Sequence, residues 1–246
     1  MIGFNRFIAT CSTALLLGTS AIAAEYKITS LNWEPYVGEN LSEGGVLVDV
    51  LRQALAQAGD TLSVDYLPWA RAVSKAKGDQ AISGYYPAWP SDIAEGFFAS
   101  SIVYKSPLGF VQRTDSPITW NALEDLKGKS IVVVKSYGYP PEFEALMESG
   151  DVTIHGTSDD AMVVKMVAGG RADIGVVDPF VMANSLATDA SMTGLSDKVE
   201  YNTRHLVEYP LVLALRDTAE NRAMAAKLEE SLANMPIEQI VSDALN

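Results

Sequence analysis

The sequence predicts an α/β protein with two lobes, each built on a parallel sheet, joined by two crossing strands. Strand-like and helix-like segments alternate from Tyr26 onward, the rhythm of units that lay their strands in parallel. The same rhythm starts again after Thr114-Asp115-Ser116-Pro117. A late apolar run, Leu206 to Leu215, then brings the chain back, so the middle unit reads as an insertion. The expected lobes are residues 24–112 with 207–246, and residues 113–206. The expected crossings lie near Val111 to Ser116 and near His205 to Leu211.

In the first unit, Tyr26 to Leu31 alternates as a strand, and Val46, Val50, Leu51, Leu55 and Ala58 recur at helical spacing before Gly59. Leu62 to Tyr66 is strand-like, and Pro68 opens a helix that Gly78 ends. Ala81 to Gly84 predicts a short strand, followed by an aromatic loop, Tyr85 to Asp92, which holds three aromatics and two prolines. Such a loop is costly to leave in water and predicts the border of a filled cleft. Strands are expected at Phe97 to Ser101 and Leu108 to Gln112.

In the second unit, helices are expected at Ala122 to Leu126, Pro141 to Glu148, Ser158 to Ala168 and Pro179 to Leu186. They alternate with strands at Ser130 to Val134, Val152 to His155 and Asp173 to Val177. Ser158 is the expected N-cap of its helix, with Asp159 and Asp160 as an acidic first turn. After the return strand, Asp217 caps a helix through Ala233, and Pro236 starts a last helix to Leu245.

Composition narrows the function. Hydrophobic residues make up 48% of the 246 residues and charged residues 20%, the balance of a globular protein. Residues 1–23 read as a signal peptide, with Arg6, the apolar run Phe7 to Leu17 and Ala21-Ile22-Ala23 as the cleavage pattern. The chain is therefore expected in the periplasm. Cleavage removes the lone cysteine, Cys11, and with it any disulfide. With Arg6 also gone from the 18 Lys+Arg, the balance against 31 Asp+Glu becomes still more acidic. That argues against nucleic acid as a partner, which needs a basic footprint.

Catalytic and metal signatures are missing. Gly128-Lys129-Ser130 has Leu123 where a phosphate-binding loop needs glycine, and Gly156-Thr157-Ser158 lacks the final glycine of a nucleophile elbow. His155 and His205 are the only histidines, too few for a His/Cys zinc site. No catalytic residue, metal or cofactor is expected.

The strand ends carry a different kind of residue. They deliver Trp33 and Tyr36, then Ser83, Tyr85, Tyr86 and Trp89, then Ser136, Tyr137 and Tyr139, and finally Asp178 before a helix. In open α/β sheets ligands sit at the carboxyl ends of strands, so these residues define a candidate rim.

With its export signal, this arrangement resembles the family 3 extracellular solute-binding proteins, periplasmic receptors of ABC-type uptake systems for polar amino acids. The echoes run in order from Glu25 to Asn246: Trp33-Glu34-Pro35-Tyr36, Gly45 to Asp49, Gly78 to Ala81, Leu126 to Lys129, and Gly170 to Asp173 leading to Asp178. The resemblance implies a type II periplasmic binding protein, a monomer that hands a small-molecule ligand to an inner-membrane ABC permease. It implies that Trp33 stacks on the ligand, that Ser83 with Tyr85 or Tyr86 hydrogen-bonds it, and that Ser136 to Tyr139 grips its carboxylate. Asp178 would bind its amine, although it is equally placed to cap the helix at Pro179.

One departure matters. Where the family pattern has Thr-x-x-Arg, with the arginine on the ligand carboxylate, this chain has Ala88-Trp89-Pro90-Ser91. Either another cation, Arg71 or Lys135, takes that role, or the ligand has no α-carboxylate and is recognised by aromatics and a carboxylate. Two alternatives use the same scaffold: a periplasmic dehydratase with Asp178 or Glu34 as general acid, and a soluble ligand sensor.

Overall fold

The computed structural model describes residues 23–245; the expected signal peptide, residues 1–23, lies outside the described residues except for its last residue. Eight strands form one continuous curled sheet in the order β2-β1-β3-β8-β4-β7-β5-β6. At one end, β1 (Glu25–Ser30) pairs in parallel with β2 (Thr61–Tyr66) and β3 (Gly84–Ala88). At the other, β5 (Ser130–Val134) pairs in parallel with β6 (Thr153–Thr157) and β7 (Ile174–Val177).

Between these halves run β4 (Phe97–Arg113) and β8 (Val199–Arg216), paired antiparallel along their lengths. β8 also pairs antiparallel with β3, and β4 with β7, so each parallel set is closed by an antiparallel crossing strand.

The helices cover the halves separately. α1 (Val46–Ala56), α2 (Trp69–Gly78), α6 (Ala219–Leu232) and α7 (Ile237–Leu245) pack on the first. α3 (Pro141–Glu148), α4 (Asp160–Ala168) and α5 (Pro179–Thr188) belong to the second. There α4 lays Val163, Val164 and Val167 on Val111, Val132, Val134 and Val177. The β-branched residues suit a sheet buried on both faces.

Four elements differ from the sequence reading by more than two residues or in type; one is the return strand, β8, which starts at Val199 instead of Leu206. β3 begins where the Ala81 to Gly84 strand was expected to stop, and the expected aromatic loop is largely strand, with Tyr85 and Tyr86 fully buried. Gly84 is inside the sheet because β8 approaches closely: a Cβ there would lie 2.1 Å from the Ala214 carbonyl oxygen. Pro87, which has no N–H for the ladder, sits at a register shift between Tyr85 and Ala88, where a missing donor is tolerated. Likewise β4 does not break at Pro107, which faces Glu208 in the crossing segment. The segment expected as a helix at Ala122 to Leu126 is a single 3-10 turn, Leu123–Leu126.

The caps also shift by one residue. Asp159 rather than Ser158 caps α4, accepting from the Met162 N–H, and Thr218 rather than Asp217 caps α6. Among the described residues no helix is long and apolar enough to cross a membrane.

Candidate functional site

A cleft of about 540 Å³ opens between the two halves. One wall follows the carboxyl ends of β1 and β2, with Trp33, Glu34 and Trp69; the other is the start of α4 with Tyr137, Asp159 and Asp160, and the face of α5 through Asn184 and Asp189. A slot of about 20 Å³, room for a water-sized group, continues inward between Trp33, Trp69, Trp89, Asp92 and Tyr137. Trp33 stands at the turn after β1, whose chain doubles back through hydrogen bonds between Trp33 and Val37.

An aromatic seam runs across the cleft floor. Trp89 from the first half meets Tyr137 at 5.3 Å, Tyr139 at 6.0 Å and Tyr209 of β8 at 5.1 Å; Trp33 meets Trp89 edge-on at 6.3 Å. Polar contacts flank it, and the first of them joins the halves. The Gly138 N–H donates to Asp92 Oδ1 at 2.8 Å, and Ser91 Oγ lies 2.7 Å from the Tyr209 hydroxyl. Ser91, at the place of the missing arginine, therefore ties its loop to a crossing strand.

Asp178 is fully buried. Oδ1 accepts from the N–H groups of Phe180 and Val181, Oδ2 from Ser106 Oγ at 2.6 Å, and the Tyr36 hydroxyl reaches both oxygens at 3.2 and 3.3 Å. Asp178 caps α5 and latches Tyr36 of the first half to the second through β4. Asp178 was expected to bind the ligand's amine; it does not line the cleft, and its oxygens are engaged inside the protein.

Other expected residues divide similarly. Trp33 and Tyr137 line the main cleft and Trp89 the slot. Tyr36 sits behind the wall on Asp178, and its buried hydroxyl is held far above its ordinary pKa, first by desolvation and then by that carboxylate. Tyr85 is core: its hydroxyl donates to the Asp92 carbonyl and accepts from the Ala94 N–H, and its ring packs on Trp69 and Phe97. Tyr86 is also fully buried, and the Tyr139 hydroxyl is bonded to the Val134 backbone.

Ser83 lies before β3, at the far end from the cleft, where its backbone joins Lys27, Arg216 and Asn221. The strand ends at Ala88, four residues beyond the expected end at Gly84, so Trp89 rather than Ser83 stands by its carboxyl end. Ser136 is half-buried and lines neither cavity; Arg71 is exposed on α2, and Lys135 is exposed with its stem across Gly156. The structure thus brings neither substitute cation to the cleft.

Instead it brings carboxylates. Glu34, Asp159, Asp160 and Asp189 line the main cleft and Asp92 the slot; among the described residues lining either, there is no lysine, arginine or histidine. Asp160 is 9% exposed and accepts from the Tyr137 hydroxyl at 2.8 Å. Burial pushes its carboxyl up to about 7, and pushes Asp92 and Asp178 each up to about 6. Trp69, Asp92, Asp159, Asp160 and Asp189 are among the cleft residues that reading strand ends missed. Trp69 and Asp160 each open a helix after a strand, so applying the rim rule to helix starts would have found them.

These three carboxyls bind protons more tightly folded than unfolded. Each favours the fold fully below its unfolded value of 3.8 and loses that contribution as pH rises through the folded value. Asp65, held low by its hydrogen bond to Lys75, acts oppositely, losing its contribution below about pH 4. The melting temperature of ligand-free protein is expected to rise by several degrees from about pH 8 to about pH 5, then fall in stronger acid. A melting temperature that falls steadily from pH 8 downward contradicts this reading of the carboxyls.

No protein-family model matches the chain, and no curated protein matches it. Solved structures do. A histidine kinase sensor domain with similarity to periplasmic binding proteins is 19% identical over 90% of this chain and 96% of its own, with a TM-score of 0.71. The GluR0 ligand-binding core from Nostoc punctiforme, in complex with L-glutamate, is 17% identical over 89% and 98%, with a TM-score of 0.67. The substrate binding protein of an amino acid ABC transporter is 15% identical over 90% and 97%, also at 0.67. The chain therefore has the two-lobed fold of periplasmic binding proteins.

Proposed function

We propose that this protein captures a small solute in its interlobe cleft, in the periplasm, and delivers it as a monomer to an inner-membrane ABC permease. The observation that carries this reading is the cleft itself, about 540 Å³ between two halves joined by a pair of strands and by breakable side-chain contacts. A ligand touching both walls favours the closed arrangement through its differential affinity, and a permease can read that difference. Likeness to the substrate binding protein of an amino acid ABC transporter supports this role. We favour binding over catalysis: of the two candidate acids of the dehydratase alternative, Asp178 has its oxygens bonded inside the protein, and Glu34 lines the cleft only half-buried, without the deep burial that suits a carboxyl to act as a general acid.

A second reading, ligand sensing, draws support from the likeness to a histidine kinase sensor domain. Cross-linking loaded protein to membranes distinguishes the two, by recovering a permease or a sensor. Binding itself is tested by a thermal-shift screen of amines, amino acids, sugars and organic acids. A ligand at about a hundred times its Kd stabilises by about 2.7 kcal/mol, a rise of roughly 5–10 °C for a domain of this size. A screen in which no solute raises the melting temperature contradicts the proposal.

A further inference from the structure

Resting on the reading of the cleft as a solute site, we infer that its ligand is an organic cation without a carboxylate. It is an alkyl- or arylalkyl-ammonium with its charge at Asp160 and its carbon body against Trp33, Trp69 and Tyr137.

Charge is the first argument. The cleft and its slot present five carboxylates and, among the described lining residues, no cation. A ligand carboxylate would enter a partly desolvated site with like charges around it and no cation among the described lining residues to pair with, whereas an ammonium meets carboxylates on both walls. This separates amines from amino acids, which carry both charges.

The second argument is the state of each carboxylate. Glu34 has no bonded partner among the described residues but is only half-buried, so water solvates it. Asp159 is engaged as the cap of α4 and with Ser158, and Asp189 with Lys165 and Ser191. Asp92 accepts from Gly138 and Trp89. Asp160 is buried with the Tyr137 hydroxyl as its side-chain donor, although a carboxylate offers about four acceptor positions. It is a buried acid with acceptor capacity left over, at the wall of a cavity. A cation arriving there makes the charge-assisted bonds that the protein does not supply.

The third argument is aromatic. Trp33 and Trp69 are 5% and 6% exposed, and both line the main cleft and the slot with Tyr137. Aromatic faces attract cations and also cover carbon, which suits an ammonium with an apolar body. The buried Trp33 indole N–H has no partner among the described residues, leaving a donor for an uncharged acceptor such as a hydroxyl on the ligand.

The test is calorimetry with matched pairs that differ by a carboxylate: phenethylamine against phenylalanine, 1,4-diaminobutane against ornithine, and choline against trimethylglycine. At least one carboxylate-free member is expected to bind, with its partner roughly a hundredfold weaker. Asp160→Asn is expected to weaken that amine by a similar factor without lowering the melting temperature of the empty protein, since it removes a buried charge that has no cation.

Should Asp160→Asn not fold, wild-type amine affinity is measured from about pH 8 to about pH 5.5. It is expected to fall roughly tenfold or more as Asp160 takes up a proton. The ionisable groups that act on Asp160 are Tyr137, Asp178, Asp159 and Tyr139, and the lining of the cleft and slot adds Glu34, Asp189 and Asp92. A flat profile overturns the assignment. So does a carboxylated member that binds as well as its amine, an amine affinity unchanged in folded Asp160→Asn, or binding confined to anionic or neutral solutes. Those outcomes leave the cleft standing as a solute site. If no solute of any class binds, the site reading falls and the cation with it.

Discussion

Asp178→Ala is expected to lower stability by about 3 kcal/mol, read as a fall in melting temperature of roughly 6–12 °C. Truncation removes the cap of α5 and leaves the Phe180 and Val181 N–H groups and the Tyr36 and Ser106 hydroxyls without their shared acceptor, where water does not reach. Unpaired buried donors, more than the lost charge, set the size of the effect. Asp178→Asn keeps one oxygen for the helix N–H groups, and its amide can donate to the two hydroxyls, so its cost is expected to be about 1 kcal/mol. Ligand affinity in the Asn variant is expected to stay within about threefold of wild type, because Asp178 does not line the cleft. A hundredfold loss of affinity at unchanged melting temperature would return Asp178 to the binding site.

Gly138→Val should do the reverse, leaving the fold and removing the function. A Cβ at Gly138 would lie 2.4 Å from Ser91 Oγ and 2.8 Å from Asp92 Oδ1, atoms of the opposite half. Gly138 is not among the residues with positive φ, so a valine is strained only when the halves meet. Tilting the equilibrium against the closed form by about 3 kcal/mol weakens a ligand that needs both walls by roughly a hundredfold. The empty variant is expected to melt within a few degrees of wild type. A large fall in its melting temperature, with affinity retained in the folded fraction, would mean that this contact is part of the fold and not of closure.

Much of the fold was legible because periodicity reports burial. The valine-rich strand at Ser130 to Val134 and the helix at Pro141 to Glu148 matched the structure at both ends. What failed were local punctuation rules overridden by tertiary contact. Gly84 and Pro87 look like breakers, yet a neighbouring strand presses on the glycine and a register shift accommodates the proline.

The site was less legible because the sequence orders residues along the chain, while a cleft depends on which of them are already bonded elsewhere. Asp178 had the right position and type but is engaged by Tyr36 and Ser106, residues distant in sequence. Asp160 looked like an ordinary acid in the first turn of a helix. Its significance lies in burial without a cation, which only the fold reveals. The aromatic residues were readable: Trp33 and Tyr137 line the main cleft and Trp89 the slot, and the described lining residues of both include no lysine, arginine or histidine.

The most direct test of solute capture by closure is native mass spectrometry of the wild type and Gly138→Val, each incubated with the small-molecule fraction of a cell extract and then desalted. The wild type is expected to carry a noncovalent increment of small-molecule mass, and the variant to be bare. Bare chains in both, or the same increment in both, would contradict capture of a solute between closing lobes.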